Sequence, residues 1–486
     1  MSSKRDLFVK RLGLLGLATV VNTLMGVILI SVFTKGRPLE DYGLWVQVNV
    51  SLSLIPGLTC LGLPYTMVRY VAGEKDKSKI KETVYSIFSV ILIVNAILSP
   101  LFSYIVIKYF GGGNLKIVPI FAIILFIQAL NMVGWNYLRA MQRIKKYSLL
   151  MIVQNLMIIV GVGYAIVNGY GIYGALLALF FVSLLMFIIL LYEIVSDLGL
   201  YKPKFTYLRE FLKFGLPTIP GNFSAWIVSS SDRYLIGYFL GIKYVAYYNP
   251  AYSLGSLLNF IIGPLGFLLP AVLSKLYEER KIDEVKLYLE YLLKYYLIVA
   301  IPAVFGLSIL AKPVLKILST EEIAEKSYLI VPIIALSILF YGLRVIFGQI
   351  FILSKRTDIS GKIWIIASLL NIGLNLIFIP YLGIMGAAIT TLIAYTFAAI
   401  ISMVYSKRLF NIIIDLKSII LTIISSSIMT IIMYALSFFI LDENIWLLTS
   451  IFTGLISYVT LSFLGGLFND REIRYFLSLV KKRRIL

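Results

Sequence analysis

The chain is a succession of long apolar runs separated by short polar connections. A run of roughly 20 apolar residues crosses about 30 Å of hydrocarbon as a helix. Fourteen runs meet that length, at 12–33, 44–67, 83–107, 117–138, 147–167, 172–192, 211–238, 245–271, 288–311, 327–352, 361–380, 384–405, 416–440 and 444–467. The longest connections surround Asp197–Lys213 and Leu273–Lys286, and no segment resembles a soluble domain. The expected fold class is an all-α polytopic membrane protein with about 14 transmembrane helices.

Lysine and arginine give this pattern a direction. With a cytoplasmic N-terminus and alternating loops, the inner segments hold 34 of the 44 basic residues. The outer segments hold 9, counting Arg233 at the outer end of the seventh run, and Arg344 falls inside a run. One span more or fewer would invert every later loop and spoil the bias. Both termini are therefore placed in the cytoplasm. The basic stretch MSSKRDLFVKR leads into an apolar run too long for a signal peptide and is read as the start of the first span.

Composition agrees with this picture and narrows the chemistry. The 486 residues are 60% hydrophobic and 14% charged, with a mean hydropathy of +0.93. Soluble domains average about 45–50% apolar and 25% charged, so lipid must solvate most of this chain. One cysteine, Cys60, excludes a disulfide framework, and the lack of histidine excludes histidine-based metal or acid-base chemistry. The formal charge of +20 is spread over eight short inner segments, which fits the insertion rule and contact with anionic headgroups. No aromatic-basic module accompanies it, so nucleic acid is not an expected partner.

The chain also repeats itself. Glu40-Asp41-Tyr42-Gly43-Leu44-Trp45 and Tyr244-Val245-Ala246-Tyr247-Tyr248-Asn249 each follow a Gly-containing turn and open the second helix of a set, about 203 residues apart. Gly171-Ile172-Tyr173-Gly174-Ala175 and Gly383-Ile384-Met385-Gly386-Ala387 lie 212 apart, as do Arg139-Ala140-Met141-Gln142-Arg143 and Phe351-Ile352-Leu353-Ser354-Lys355. Small-residue patterns of this kind are common in membrane helix packing, but three matches at a near-constant offset imply two parallel six-helix lobes plus two C-terminal helices. The expected divisions are 1–195, 205–410 and 411–486.

With those motifs in place, the chain resembles the polysaccharide flippase branch of the multidrug/oligosaccharidyl-lipid/polysaccharide exporter superfamily. The likeness is carried by Phe211-Leu212-Lys213-Phe214-Gly215-Leu216-Pro217, by Ser231-Asp232-Arg233-Tyr234-Leu235-Ile236-Gly237 and by Ala246-Tyr247-Tyr248-Asn249-Pro250-Ala251. Tyr42-Gly43-Leu44-Trp45, Leu61-Gly62-Leu63, and Asn371 through Asn375 to Gly383-Ile384-Met385-Gly386-Ala387-Ala388 extend it along nearly the whole chain. Ala246 stands where the family usually has glycine.

The resemblance implies a flippase, not an enzyme, that moves lipid-linked oligosaccharide or polysaccharide precursors from the cytoplasmic to the outer leaflet by alternating access. It implies an isoprenoid-phosphate-linked glycan as cargo, with membrane lipid and glycan-assembly enzymes as partners, in the cell membrane, and a fold that can work as a monomer. No cofactor is expected, and a sodium or proton gradient is the expected source of coupling. The sugar cannot enter hydrocarbon without hydrogen-bond partners. A cavity with amides for hydroxyls and cations for phosphate is the matching chemistry.

Charges within spans are rare and costly. Arg344 either holds the headgroup phosphate bidentately or ties helices together through carboxylate or carbonyl partners. Asp232 is the candidate for a coupling ion and Arg233 for cargo. The alternative is a charge cluster that fixes a helix end, and as helix neighbours about 100° apart the two need not pair. Arg69 and Arg139, at cytoplasmic helix ends, either meet phosphate or snorkel. Amides within spans include Asn22, Gln47, Asn49, Gln128, Asn131, Asn222, Asn249, Asn259, Gln349, Asn371 and Asn375. They line a cavity or bond helix to helix. The resemblance places the first, second, seventh and eighth helices at the cavity, which favours Asn22, Gln47, Asn49, Asn222 and Asn249. Pro217 and Pro220 in the seventh run are candidate hinges; Pro264 and Pro270 interrupt the eighth, and Pro56 and Pro64 lie in the second. Normal transport by Pro217→Ala would count against the hinge.

Two other classes compete. A membrane glycosyltransferase would need carboxylates in sizeable loops, whereas the outer loops are short and there is no Asp-x-Asp. A multidrug or cation exporter of the same superfamily would carry first-lobe carboxylates, and none lies at 12–33 or 43–68. A peptidoglycan-precursor lipid flippase has a similar headgroup to bind and remains an alternative.

Overall fold

The computed structural model describes residues 25–36, 38–410 and 412–467. Among them every regular element is helical. Ten helices are long and apolar enough to cross a membrane, and an eleventh span is made by a bent pair. The expected first span lies largely outside the described residues, which begin it only at α1 (Met25–Thr34). Eight of the other runs appear as single helices: α4 (Lys77–Phe110), α5 (Val118–Ala140), α6 (Ile144–Val167), α7 (Gly171–Leu198), α12 (Ile282–Leu318), α14 (Ile330–Leu353), α15 (Thr357–Leu382) and α16 (Ile384–Leu409). The last two runs are α17 (Leu416–Leu436) and α18 (Glu443–Leu464).

Three runs expected to be continuous are broken, and local chemistry explains where. The second run divides into α2 (Leu39–Thr59) and α3 (Leu63–Val71), bent by 61°. A helix continued through Pro64 would leave the Cys60 carbonyl without its donor. The chain instead turns through Leu61 and Gly62, both at positive φ, and starts again with Pro64 in the first turn, where no N–H is needed. The seventh run divides into α8 (Leu208–Gly215), a 3-10 turn at Leu216–Thr218, and α9 (Ile219–Phe239). Pro217 falls in the turn and Pro220 in the first turn of α9, so neither costs an interior hydrogen bond. The eighth run divides into α10 (Ile242–Gly255), a turn at Ser256–Leu258 and α11 (Asn259–Glu278), so the break precedes Pro264 and Pro270. A short helix, α13 (Glu321–Ser327), joins α12 to α14.

Two compact units are present. Among the described residues, the first comprises those within 25–253, 318–323 and 361–394, and the second those within 254–317, 324–360 and 395–467. In the first, Leu63, Met67 and Val71 of α3 pack on Ile80, Val84, Ile87 and Ile91 of α4 and on Leu130, Val133 and Tyr137 of α5. Ile194 and Leu198 of α7 and Phe211 of α8 close this core. In the second, Met429, Met433 and Tyr458 hold α17 and α18 together against Phe305, Ile309 and Leu310.

Local copies of the repeat motifs do the same work twice. Gly171 and Gly383 each hold a left-handed turn before a helix, and Gly174 and Gly386 each leave space that a side chain would overfill. After α5, Gln142 at positive φ lets the Arg143 amide bond the Leu138 carbonyl at 2.9 Å. The same closing turn recurs after α14, where Lys355 at positive φ lets the Arg356 amide bond Phe351 at 2.8 Å. It falls one position later than the sequence comparison places it.

Candidate functional site

A polar seam of the first unit runs between α2 and α9, with α10 at one end. Its starting point is a glycine. A side chain at Gly43 would overlap the Ile242 carbonyl, so α2 and the start of α10 meet backbone to backbone. One residue earlier, the Tyr42 hydroxyl accepts from the Asn249 amide at 2.9 Å. Along α2 follow Gln47, fully buried with neither end of its amide hydrogen-bonded, and Ser51, whose hydroxyl lies 2.6 Å from that of Tyr234. Then the Trp226 indole N–H donates to Ser53 Oγ at 3.0 Å.

Beyond Trp226 the helices part around a cavity of about 200 Å³. Ser53, Tyr65, Thr218, Asn222, Phe223 and Trp226 are among its walls, and none of its lining residues is a carboxylate. The seam closes again where Gly62 meets Gly215, since a Cβ on Gly62 would overlap the Gly215 carbonyl. There Thr66 Oγ1 also donates to the Phe211 carbonyl at 3.2 Å. The broken second and seventh runs thus pack break against break.

Asp232 and Arg233 lie on the same helix and are 1% and 5% exposed. Although adjacency on a helix does not require it, the two pair: Arg233 Nη1 donates to Asp232 Oδ1 at 2.7 Å. The arginine is long enough to curl back over its own helix, and burial of both charges makes pairing the favourable solution. Asp232 Oδ2 also accepts from the Tyr248 hydroxyl at 2.5 Å. Arg233 donates to the Ser229 carbonyl at 2.6 Å and stacks on Tyr252 at 3.6 Å from the ring centre. On the same helix Ser231 donates to Asn371 Oδ1, which also accepts from Asn375, and Asn375 Oδ1 accepts from Thr390.

Two family models match the sequence. The model described as polysaccharide biosynthesis protein covers residues 8–277, more than half of the chain. The chain belongs to the polysaccharide biosynthesis protein family. A second model, MatE, matches residues 217–377. A probable low-salt glycan biosynthesis flippase of Haloferax volcanii, Agl15, is 22% identical over 58% of this chain, and the match spans 60% of Agl15. Among solved structures, the inward closed conformation of the lipid II flippase MurJ superposes with a TM-score of 0.77 at 21% identity, over 93% of this chain and 98% of MurJ. An inward-facing multidrug resistance MATE family transporter gives 0.66 at 18%, over 80% and 94%. Likeness of that extent shows the fold: a multi-pass, all-helical, two-lobed membrane protein.

In this family member the expected site residues do not form one cluster. Gln47, Asn49, Asn222 and Asn249 lie on α2, α9 and α10; of these, Asn222 faces the cavity, Asn249 bonds Tyr42, and Asn49 donates to the Trp45 carbonyl on its own helix. Asn22 lies outside the described residues. Arg69 and Arg139 are exposed at the ends of α3 and α5, the latter donating to Asn136. Arg344 belongs to the second unit, buried on α14, where its guanidinium donates to the Ser360 hydroxyl and lies against Gly348. Nothing in the sequence marks Ser53 or Trp226, and Tyr234 enters only as part of a motif, because single serines and aromatic residues are ordinary in spans. Their significance appears only when α2 and α9 are brought together. Among the described residues no group of three or more His, Cys, Asp or Glu side chains could hold a metal ion.

Proposed function

We propose that this chain is a flippase for lipid-linked saccharide precursors, carrying them from the cytoplasmic to the outer leaflet of the cell membrane by alternating access, with both termini cytoplasmic. The observation that carries the reading is the α2–α9 seam. In a chain dominated by apolar spans, it collects hydroxyls, an amide and aromatic rings at a cavity and beside it. That is the equipment a sugar needs to leave water. Membership of the polysaccharide biosynthesis family and the match to Agl15 support it. The cargo in this reading is an isoprenoid-phosphate-linked glycan, and the driving force is a sodium or proton gradient acting at Asp232. No chemistry is performed on the cargo. Bending at the α8–α9 break, beside Pro217 and Pro220, accompanies the cycle.

Arg344 is the proposed phosphate ligand. The test is transbilayer movement of a radiolabelled lipid-linked oligosaccharide in proteoliposomes, for the wild type, Arg344→Ala and Pro217→Ala. Movement is expected in the wild type and a loss of about tenfold or more in Arg344→Ala, corresponding to one charge-assisted contact. Unchanged movement in Arg344→Ala assigns that residue to helix packing, and unchanged movement in Pro217→Ala removes the hinge. The match to MatE over residues 217–377 makes multidrug or cation export the second reading. Export of cationic dyes without movement of lipid-linked sugar would establish it instead.

A further inference from the structure

The cavity beside Trp226 has a composition more specific than a general polar passage. Phe223 and Trp226, one helical turn apart on α9, hold their rings parallel to within 3°, with centres 6.4 Å apart. The indole cannot rotate freely, since its N–H is fixed to Ser53 on α2 and Tyr234 packs on it at 5.8 Å. Around this pair stand an exposed amide, Asn222, and the hydroxyl groups of Ser53, Thr218 and Tyr65. The Thr218 hydroxyl donates to the Gly215 carbonyl and that of Ser53 to the Val50 carbonyl, each at 2.7 Å, which leaves both oxygens as acceptors. The volume of about 200 Å³ equals about seven waters at roughly 30 Å³ each, room for one sugar ring.

Each ligand class can be weighed against these walls. Leu54, Leu58, Met132 and Ile219 complete the lining and could receive a lipid tail, but a tail would leave the amide of Asn222 and the oxygens of Ser53, Thr218 and Tyr65 without a partner from the ligand. A cationic drug would favour the aromatic faces, but the lining offers it no carboxylate. A pyranose has what the site asks for. The C–H groups of one ring face meet the negative face of an aromatic ring, and the hydroxyls at its edge donate to the Ser53 and Thr218 oxygens and pair both ways with Asn222. An amide supplies both kinds of bond in one side chain.

We propose that this cavity is a sugar-ring subsite, in which one pyranose of the cargo stacks on the Trp226–Phe223 pair and is held at its edge by Asn222 and Ser53. The subsite rests on the flippase reading above. Its test uses the full chain in lipid nanodiscs and four probes: farnesyl diphosphate, and farnesyl diphosphate bearing glucose, galactose or N-acetylglucosamine. At least one sugar-bearing probe is expected to bind the wild type about tenfold more tightly than farnesyl diphosphate, and to change tryptophan fluorescence. Trp226→Ala and Asn222→Ala should erase that sugar-dependent increment, whereas Trp226→Phe should keep most of it but lose the fluorescence change. Asn222 is exposed, so its variant keeps the test open if Trp226→Ala fails to fold. An increment that survives in both alanine variants overturns the subsite. So does a wild type that moves lipid-linked saccharide yet binds none of the three sugars better than farnesyl diphosphate. A wild type that moves no lipid-linked saccharide fails the flippase reading itself, and the subsite falls with it.

Discussion

At Gly62 the backbone stands at φ +69°, and a Cβ would overlap the Gly215 carbonyl. Left-handed backbone costs a side-chain-bearing residue roughly 1–2 kcal/mol, and the overlap adds to this because it is with backbone, which cannot swing aside. Gly62→Ala should therefore destabilise the protein by about 2 kcal/mol or more. Gly163, towards the end of α6, has nothing within 4 Å of a built Cβ, so Gly163→Ala should be neutral or slightly stabilising. Thermal unfolding of the two purified variants in one detergent is the check, and equal midpoints would show that α3 and α8 can separate without cost. Leu61-Gly62-Leu63 is part of the resemblance read from the sequence, but the reason for the glycine was not legible there. It depends on a carbonyl far along the chain.

Element boundaries were legible wherever a single apolar run makes a single helix, as in α4 to α7 and α14 to α16. They were less legible where proline starts a helix instead of kinking it. Pro64 and Pro220 sit in first turns, a placement that hydropathy cannot distinguish from an interior one. The connection between α7 and α8, one of the two longest in the sequence, is strapped to the start of α4. Glu82, 5% exposed, accepts from the backbone amides of Thr206 at 3.1 Å and Lys204 at 3.3 Å and from the Tyr201 hydroxyl at 3.3 Å. Tyr85, one turn later, donates to the Gly199 carbonyl at 2.7 Å. A glutamine offers one acceptor oxygen where the carboxylate offers two, so Glu82→Gln must release part of this strap. The segment 200–207 should then exchange its amide hydrogens about tenfold faster or more, corresponding to a loss of roughly 1.5–3 kcal/mol for bonds to a charged group. Unchanged exchange there would mean that packing of Tyr201 on Tyr85 holds the strap without Glu82.

For the whole molecule, composition alone made the solvent plain, and the repeat foreshadowed paired turns such as those at Gln142 and Lys355. The candidate site was legible in part. Amides and buried charges stand out in an apolar sequence, but a seam of serine, tyrosine and tryptophan does not. Direction across the membrane is a property of the sequence more than of the fold, because it rests on the distribution of lysine and arginine. It can be tested at four exposed positions. Cys60 is the sole cysteine and is buried, so Cys60→Ala provides a background for single-cysteine labelling. On intact cells, a membrane-impermeant maleimide should reach Asn114→Cys and Leu441→Cys, and should reach Lys75→Cys and Lys202→Cys only after permeabilisation. Positions 75 and 114 flank one helix, α4, so their opposite labelling fixes the direction of the first lobe. Lys202 and Leu441 are separated by seven of the expected spans. Labelling of both from the same side would require an even number between them, and the fourteen-span reading and the cytoplasmic C-terminus would be lost together.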